Sequence, residues 1–159
     1  MNQLAEAPAA AAHALTVSIP GQLEMTLDAT PSAIAPVRHI VARHLQLWGD
    51  GLDTLTDRAL LAVNELLANV CEHTAGDRSG RRSAGLLVQR IPDGICINVR
   101  DNDPRQPALL SPEDIDESGR GLLLVRAVAD GFGVSPNPTG KDVWVSLIQP
   151  PENVESPTR

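Results

Sequence analysis

Apolar and polar residues follow two different periods along the chain, and each period predicts one type of secondary structure. Two short alternating stretches flank the turn dipeptide Pro20-Gly21, and they predict a β-hairpin. Apolar side chains then recur at helical spacing from Ile34 to Trp48, which predicts a first helix that stops at Gly49. The chain is therefore expected to begin with strands and to continue with a helix.

The same two periods continue through the middle of the chain. A second helix is predicted to begin at Asp53 or Thr54 and to stop near Gly76. Two apolar stretches joined by the turn at residues 92–94 predict a second hairpin. With 159 residues in total, the chain has the size of one ordinary domain.

The last part of the chain predicts one more helix and a closing hairpin. An apolar stretch that opens at Gly119 and Gly121 predicts a third helix, which is expected to end at Gly131 or Gly133. Two strands around the turn at residues 138–140 are expected to close the domain.

The second predicted helix carries a row of polar residues on one face. Glu65, Asn69 and His73 stand four residues apart, so their side chains lie one above the next. A solvated helix face also shows a polar row, but an amide and an imidazole beside one carboxylate suggest a binding site. The apolar residues gather on the opposite side and are expected to enter the core: Leu60, Val63, Leu67, Val70 and Cys71.

Composition narrows the class of ligand that this row could bind. The net charge is -7, and two Trp, one Phe and no Tyr provide few surfaces for stacking on bases. These features argue against direct binding to nucleic acid or to an anionic membrane. A nucleotide remains a suitable ligand, because a metal ion and backbone amides can offset phosphate charge.

Neither the cysteines nor the chain ends suggest secretion. Cys71 and Cys96 lie in apolar stretches without paired metal-binding spacing, so we expect buried thiols, with a disulfide left open. The start of the chain lacks a basic region, and no apolar run approaches the roughly 20 residues of a membrane span. We expect a cytoplasmic protein with disordered segments at 1–12 and 150–159 and a domain at 13–149.

Three shorter features add to the polar row. Asp101 ends a predicted strand, where a carboxylate could accept a hydrogen bond from an amine, although aspartate also commonly ends strands. The aperiodic segment 104–118 is rich in proline and acidic residues and is expected to form a lid. Gly119 and Gly121 open the third helix, whose free backbone amides could bind phosphates.

The order and spacing of these motifs resemble those of the GHKL ATPase superfamily, which has the Bergerat fold. The stretches NELLANVCEH, VRDNDPRQP and GRGLLLVRAVAD correspond to its N, G1 and G2 boxes, and the similarity covers roughly residues 20–149. With GKDVWVSL, they are most similar to stand-alone regulatory domains of actinobacteria that are related to anti-sigma factor serine kinases. The resemblance implies an α+β two-layer α/β sandwich with a mixed, mostly antiparallel sheet and three helices on one face.

The resemblance also implies a role for each member of the polar row. Asn69 would be the ligand of a Mg²⁺ ion that bridges the phosphates of ATP. Glu65 would be the general base that takes a proton from the attacking hydroxyl or water. His73 would line the site near the phosphates, and Asp101 would bind the amino group of adenine.

The later motifs imply further contacts with the nucleotide. Gly119, Arg120 and Gly121 would border the phosphates, with Arg120 available to neutralise charge. Asp103 and Leu122 belong to the same two motifs and are expected to contact the nucleotide as well.

The chain departs from the family at the G1 box. The usual Asp-x-Gly-x-Gly pattern reads Asp101-Asn102-Asp103-Pro104-Arg105 here, so both glycines are missing. Without them the backbone is expected to approach adenine less closely, which predicts an ATP affinity that is weak or depends on a partner.

Two hypotheses on function follow from the resemblance. The first is an anti-sigma factor serine/threonine kinase, which sequesters a sigma factor and uses Mg-ATP to phosphorylate a STAS-type antagonist; retention of Glu65 favours it. The second is a non-catalytic nucleotide-binding module that acts by protein contact, and the missing glycines favour it. A purely structural domain is less favoured, because Asn69, Asp101 and the GRG motif occur together. The oligomeric state, including a homodimer, stays open.

Overall fold

Six strands and three helices form the part of the chain that the computed structural model describes, which comprises residues 15–49, 51–103 and 120–151. In chain order they are β1 (Leu15–Ile19), β2 (Gln22–Asp28), α1 (Pro31–Leu47), α2 (Asp53–His73), β3 (Ser83–Ile91), β4 (Gly94–Asp101), α3 (Arg120–Val128), β5 (Gly131–Pro136) and β6 (Lys141–Ile148). The strands form one sheet in the order β1-β2-β3-β4-β6-β5, and each neighbouring pair is antiparallel. The predicted two-layer α/β sandwich with a mostly antiparallel sheet and three helices is confirmed.

Four predictions concern residues outside the described ranges. The expected lid at 104–118, Gly119, the disordered segment at 1–12 and the disordered segment at 150–159, apart from its first two residues, belong to this group. The predicted domain limits therefore stay predictions.

Buried apolar side chains stand at every second position of the central strands, so one face of the sheet is apolar and packs against the helices. The helix α2 lies over β3, β4 and β6, whereas α1 lies over β2 and α3 packs against α2. Each large aliphatic side chain buried in this way contributes about 1.5–3 kcal/mol relative to an exposed one. The sheet contributes the following side chains to the core: Leu23, Met25, Leu27, Ala84, Leu86, Val88, Ile95, Ile97, Val99, Val143, Val145 and Leu147.

The predicted hairpins and helix faces are confirmed. Gly21 has φ +75°, a backbone conformation that glycine adopts readily, and it turns the chain between β1 and β2. On α2 the expected apolar residues face the core, although Leu60 is only partly buried: Val63, Leu67, Val70 and Cys71 are buried.

The predicted end of α2 is wrong by a few residues. The helix ends at His73 rather than near Gly76, because Thr74 takes an extended conformation. The carbonyl of Thr74 accepts a hydrogen bond from Arg82 Nε at 2.6 Å, and its hydroxyl lies 3.4 Å from Asp101 Oδ2. Tertiary hydrogen bonds therefore end this helix before the glycine is reached.

The predicted end of α3 is also wrong. The helix ends at Val128, and Gly131 and Gly133 belong to β5 instead of stopping the helix. A Cβ atom at Gly133 would overlap the ring of Trp144 on the neighbouring strand. The glycine therefore lets the indole lie across β5, which is a packing role and not a helix-capping role.

Arg58 fastens the end of α3 to the rest of the domain. Its Nε and Nη2 atoms donate to the Val128 carbonyl at 2.8 and 2.6 Å, and Nη2 lies 2.7 Å from Asp130 Oδ2. The same carboxylate oxygen accepts the N–H of Ile148 at 2.7 Å. The four interactions join α2, the C-terminus of α3 and β6.

We expect Asp130→Asn to lower the free energy of unfolding at neutral pH, and to lower it less as the pH falls into the acid range. The hydrogen bond from the Ile148 N–H and then that from Arg58 lower the pKa of Asp130. A depressed folded-state pKa stabilises the fold above the ordinary value of about 3.9, and this contribution is lost as the pH falls through the lower folded-state value. Because both side chains of the ion pair are partly exposed, the loss at neutral pH should be about 1 kcal/mol.

Urea unfolding of parent and Asp130→Asn between about pH 2.5 and 7 measures this contribution. The difference between the two proteins should shrink below pH 4. The double mutant Asp130→Asn, Arg58→Met should lose less unfolding free energy than the sum of the losses in the two single mutants. A difference that stays constant over this pH range would contradict the role assigned to the carboxylate.

The two cysteines do not pair. Cys71 and Cys96 are free thiols, and burial raises the pKa of each. Cys71 packs into the core, while Cys96 alternates with core residues of β4 and so faces the opposite side of the sheet. Within the described residues, no helix is both long and apolar enough to cross a bilayer.

Candidate functional site

The polar row on α2 meets the first turn of α3. Glu65 and Asn69 are partly buried, and both face Gly121. A Cβ atom at Gly121 would lie 2.6 Å from Glu65 Oε2 and 3.7 Å from Asn69 Oδ1. The missing side chain therefore gives the carboxylate and the amide room beside the backbone of α3. Asn64 also contributes, since its Nδ2 atom donates to Glu65 Oε1 at 3.1 Å.

His73 forms the exposed end of the row. It is the last residue of α2, and its side chain is 52% exposed. Its Nε2 atom lies 3.6 Å from Glu72 Oε2. The imidazole thus stands at the surface, one turn beyond Asn69.

Asp101 lies at the end of β4 in a network of hydrogen bonds. The residue is buried, and the register of the sheet places it opposite Lys141, whose Nζ atom lies 2.8 Å from Asp101 Oδ2. The Asp103 N–H donates to Asp101 Oδ1 at 2.9 Å, and the Thr74 hydroxyl lies 3.4 Å from Oδ2. The carboxylate is therefore held by the loop that follows it, by the end of α2 and by β6.

Asp103 links the two ends of this network. It is buried, and its Oδ2 atom accepts the Ala75 N–H at 3.4 Å. Through this contact the loop after β4 is joined to the segment after α2. Asp101 is consequently joined to the C-terminal end of α2, the helix that carries Glu65 and Asn69.

Gly140 allows β6 to begin beside Asp101. A Cβ atom there would overlap the carbonyl oxygen of Asp101 and the backbone of Asn102. Since backbone atoms cannot yield in the way that a flexible side chain can, only glycine fits before Lys141. The sequence indicated Gly140 only as a turn residue.

A cleft of about 570 Å³ opens beside the network, between the ends of β2 and β3 and the loops that follow α2 and β4. Its lining includes Thr74 and Asp103 but neither Glu65 nor Asn69. Asp28 and Arg81, which form an ion pair of 2.7 Å, also line it.

The predicted residues at the start of α3 lie in different environments. Arg120 is exposed, while Leu122 is partly buried and packs against the core. The first backbone N–H groups of a helix have no partner within the helix, so a ligand can accept hydrogen bonds from them. Leu122 can therefore contact a ligand through its backbone, with its side chain in the core.

The donor set suits a magnesium ion that takes most of its ligands from a nucleotide. Among the described residues, no group of three His, Cys, Asp or Glu could hold a metal by itself. Mg²⁺ prefers hard oxygen ligands, and it commonly keeps several waters and binds substrate phosphates beside one or two protein oxygens. The Asn69 amide oxygen, next to the space that Gly121 leaves, fits this requirement.

Three residues that support Glu65 and Asp101 were assigned no role from the sequence: Asn64, Thr74 and Lys141. Asn64 and Lys141 lie within the stretches NELLANVCEH and GKDVWVSL, but a tertiary contact defines the role of each of the three. The sequence nevertheless sets Lys141 apart as a candidate, because it is the single lysine among the 13 Lys and Arg residues of the chain.

Comparison with known families agrees with this arrangement. A model of the histidine kinase-like ATPase domain matches residues 27–147, a range that includes Glu65, Asn69, Asp101 and Lys141. Comparison with curated proteins yields no match. The predicted relationship to GHKL-type ATPases is confirmed, and an ATPase domain implies ATP binding. The chain therefore belongs to the histidine kinase-like ATPase domain family.

Proposed function

We propose that the protein is an Mg-ATP-dependent serine/threonine kinase that sequesters a sigma factor and phosphorylates its STAS-type antagonist. The observation that carries this proposal is the position of Glu65 and Asn69, side by side against Gly121 at the start of α3. A base, a metal ligand and free helix N–H groups are then present within one site.

The start of α3 and Asn69 would bind the phosphates. The backbone N–H groups after Arg120 offer donors to phosphate oxygens, and the positive end of the helix dipole favours the negative charge. Asn69 would hold the magnesium ion, which neutralises phosphate charge when bound. Arg120, exposed at the helix start, supplies a further positive charge.

Glu65 would act on the attacking hydroxyl. Its carboxylate takes the proton of a serine or threonine side chain as the hydroxyl oxygen bonds to the γ-phosphorus of ATP. The bond between that phosphorus and the β–γ bridging oxygen breaks, and ADP leaves with the electron pair. Asn64, which donates to Glu65 Oε1, orients the carboxylate so that Oε2 faces Gly121.

A second candidate is the non-catalytic nucleotide-binding module. The changed G1 box favours it, because Asp103, which stands where the family has a glycine, is buried and accepts the N–H of Ala75. Such a module would hold the nucleotide and act by protein contact alone.

Incubation with radiolabelled ATP, magnesium and candidate STAS-type antagonists separates the two candidates. We expect label on a serine or threonine of the antagonist. ATP binding without transfer to any antagonist would favour the module, and absence of ATP binding would contradict both.

Gly121→Ala should separate catalysis from stability. The new methyl group would displace the flexible end of Glu65, while alanine is favoured over glycine within a helix by about 1 kcal/mol. We expect phosphotransfer to fall at least about tenfold and the unfolding midpoint to stay equal or rise. An unchanged transfer rate would show that the carboxylate does not act from its position beside Gly121.

A further inference from the structure

The single lysine of the chain lies largely buried beside Asp101. The side chain of Lys141 is 14% exposed and that of Asp101 is 7% exposed, with 2.8 Å between Nζ and Oδ2. Every other basic side chain in the sequence, histidine apart, is an arginine. A compact ammonium group therefore stands at the one position where β6 begins beside the end of β4.

Both members of this ion pair can form further hydrogen bonds. The Asp101 carboxylate has about four acceptor positions, and the described residues fill three of them, from Asp103, Thr74 and Lys141. The ammonium has three donors, and Asp101 is its one partner among the described residues. An unfilled acceptor thus lies next to unfilled donors.

A neighbouring ion pair shows how an arginine behaves on the same two strands. Arg100 and Asp142 are the next residues in register, on the opposite face of the sheet. The guanidinium of Arg100 gives Nε and Nη2 to the two oxygens of one carboxylate, at 2.7 and 3.1 Å. The guanidinium holds all its donors in one plane, whereas the tetrahedral ammonium of Lys141 can direct a donor away from the plane of its carboxylate partner, towards a second acceptor.

The geometry points to Lys141 as a residue that determines base specificity. Adenine presents the 6-amino group, a donor, beside ring N1, an acceptor. We propose that Lys141 Nζ donates to N1 while Asp101 accepts from the amino group, so that the ion pair reads both groups of this edge. This inference rests on the proposed binding of ATP.

Binding of ATP and of 1-deaza-ATP, in which a C–H group replaces N1, tests the contact without requiring any catalysis. Calorimetry with the parent protein should show about 10- to 100-fold weaker binding of 1-deaza-ATP, as expected for loss of a hydrogen bond to a charged donor. Lys141→Met should bind ATP more weakly and should distinguish the two nucleotides by less than about threefold. Arg100→Met is the matched control, and it should keep the parent's ratio.

The possible results separate this inference from the proposed function. Equal binding of the two nucleotides by the parent protein would overturn the role of Lys141 and leave ATP binding intact. If Lys141→Met keeps the parent's ratio, another group contacts N1 and the inference is likewise overturned. Failure of the parent to bind either nucleotide would overturn the proposed function itself. The parent's ratio requires no variant, so the test holds even if Lys141→Met unfolds.

Discussion

Glu65→Gln is expected to slow phosphotransfer to the antagonist by about 10² to 10⁴-fold. Glutamine keeps the size of the side chain and its capacity for hydrogen bonds, but the amide cannot take a proton from the attacking hydroxyl. ATP binding should change little, since Asn69 and Asp101 stay in place. The variant should still sequester the sigma factor, which we place on a surface away from the phosphates.

Transfer of radiolabel at saturating ATP measures this effect. Glu24→Gln provides the matched control, because Glu24 is exposed on β2 and alternates with core residues, which places it on the opposite face of the sheet. The control should label the antagonist at the parent's rate. Equal rates for parent and Glu65→Gln would show that Glu65 is not the base. If neither labels any antagonist although both bind ATP, the binding module becomes the better account.

Asn69→Ala should abolish binding of ATP in the presence of magnesium. The amide oxygen that we assign to the ion is lost, and the ion then has no protein ligand to hold it beside Gly121. The fold should persist, because Asn69 is partly buried on the polar row and alanine is favourable within a helix.

Calorimetry with magnesium present, together with thermal unfolding, tests the assignment. Asn98→Ala removes the same amide from a partly buried position on β4 that faces away from the helices, and it should bind ATP like the parent. Equal affinity of Asn69→Ala and parent would exclude Asn69 as the metal ligand.

The departure from the G1 box has a structural counterpart. Asp103, which stands where the family has a glycine, is buried and links Asp101 to Ala75. The carboxylate therefore joins the loop after β4 to the end of α2. The weak or partner-dependent ATP affinity predicted from the missing glycines remains a prediction, and the calorimetry with the parent protein will measure it.

The local sequence pattern was sufficient to predict the helices and strands and the polar row on α2. A spacing of four residues places Glu65 and Asn69 on one face of any helix, and alternation in a strand buries every second side chain whatever packs on it. The turn at Gly21 is equally local, because its positive φ suits glycine at that position. For these features, neighbours in the sequence are also neighbours in space.

The tertiary structure alone decided where α2 and α3 end and which residues complete the site. At the ends of these helices, the Thr74 carbonyl accepts a hydrogen bond from Arg82, beyond the intervening loop, and the Val128 carbonyl accepts one from Arg58, which is distant in sequence. In the same way, the register between β4 and β6 brings Lys141 to Asp101, residues 40 positions apart in the chain. The packing of α3 on α2 likewise brings Gly121 against Glu65. No period or motif within one segment records such contacts, because each depends on how two separate segments pack.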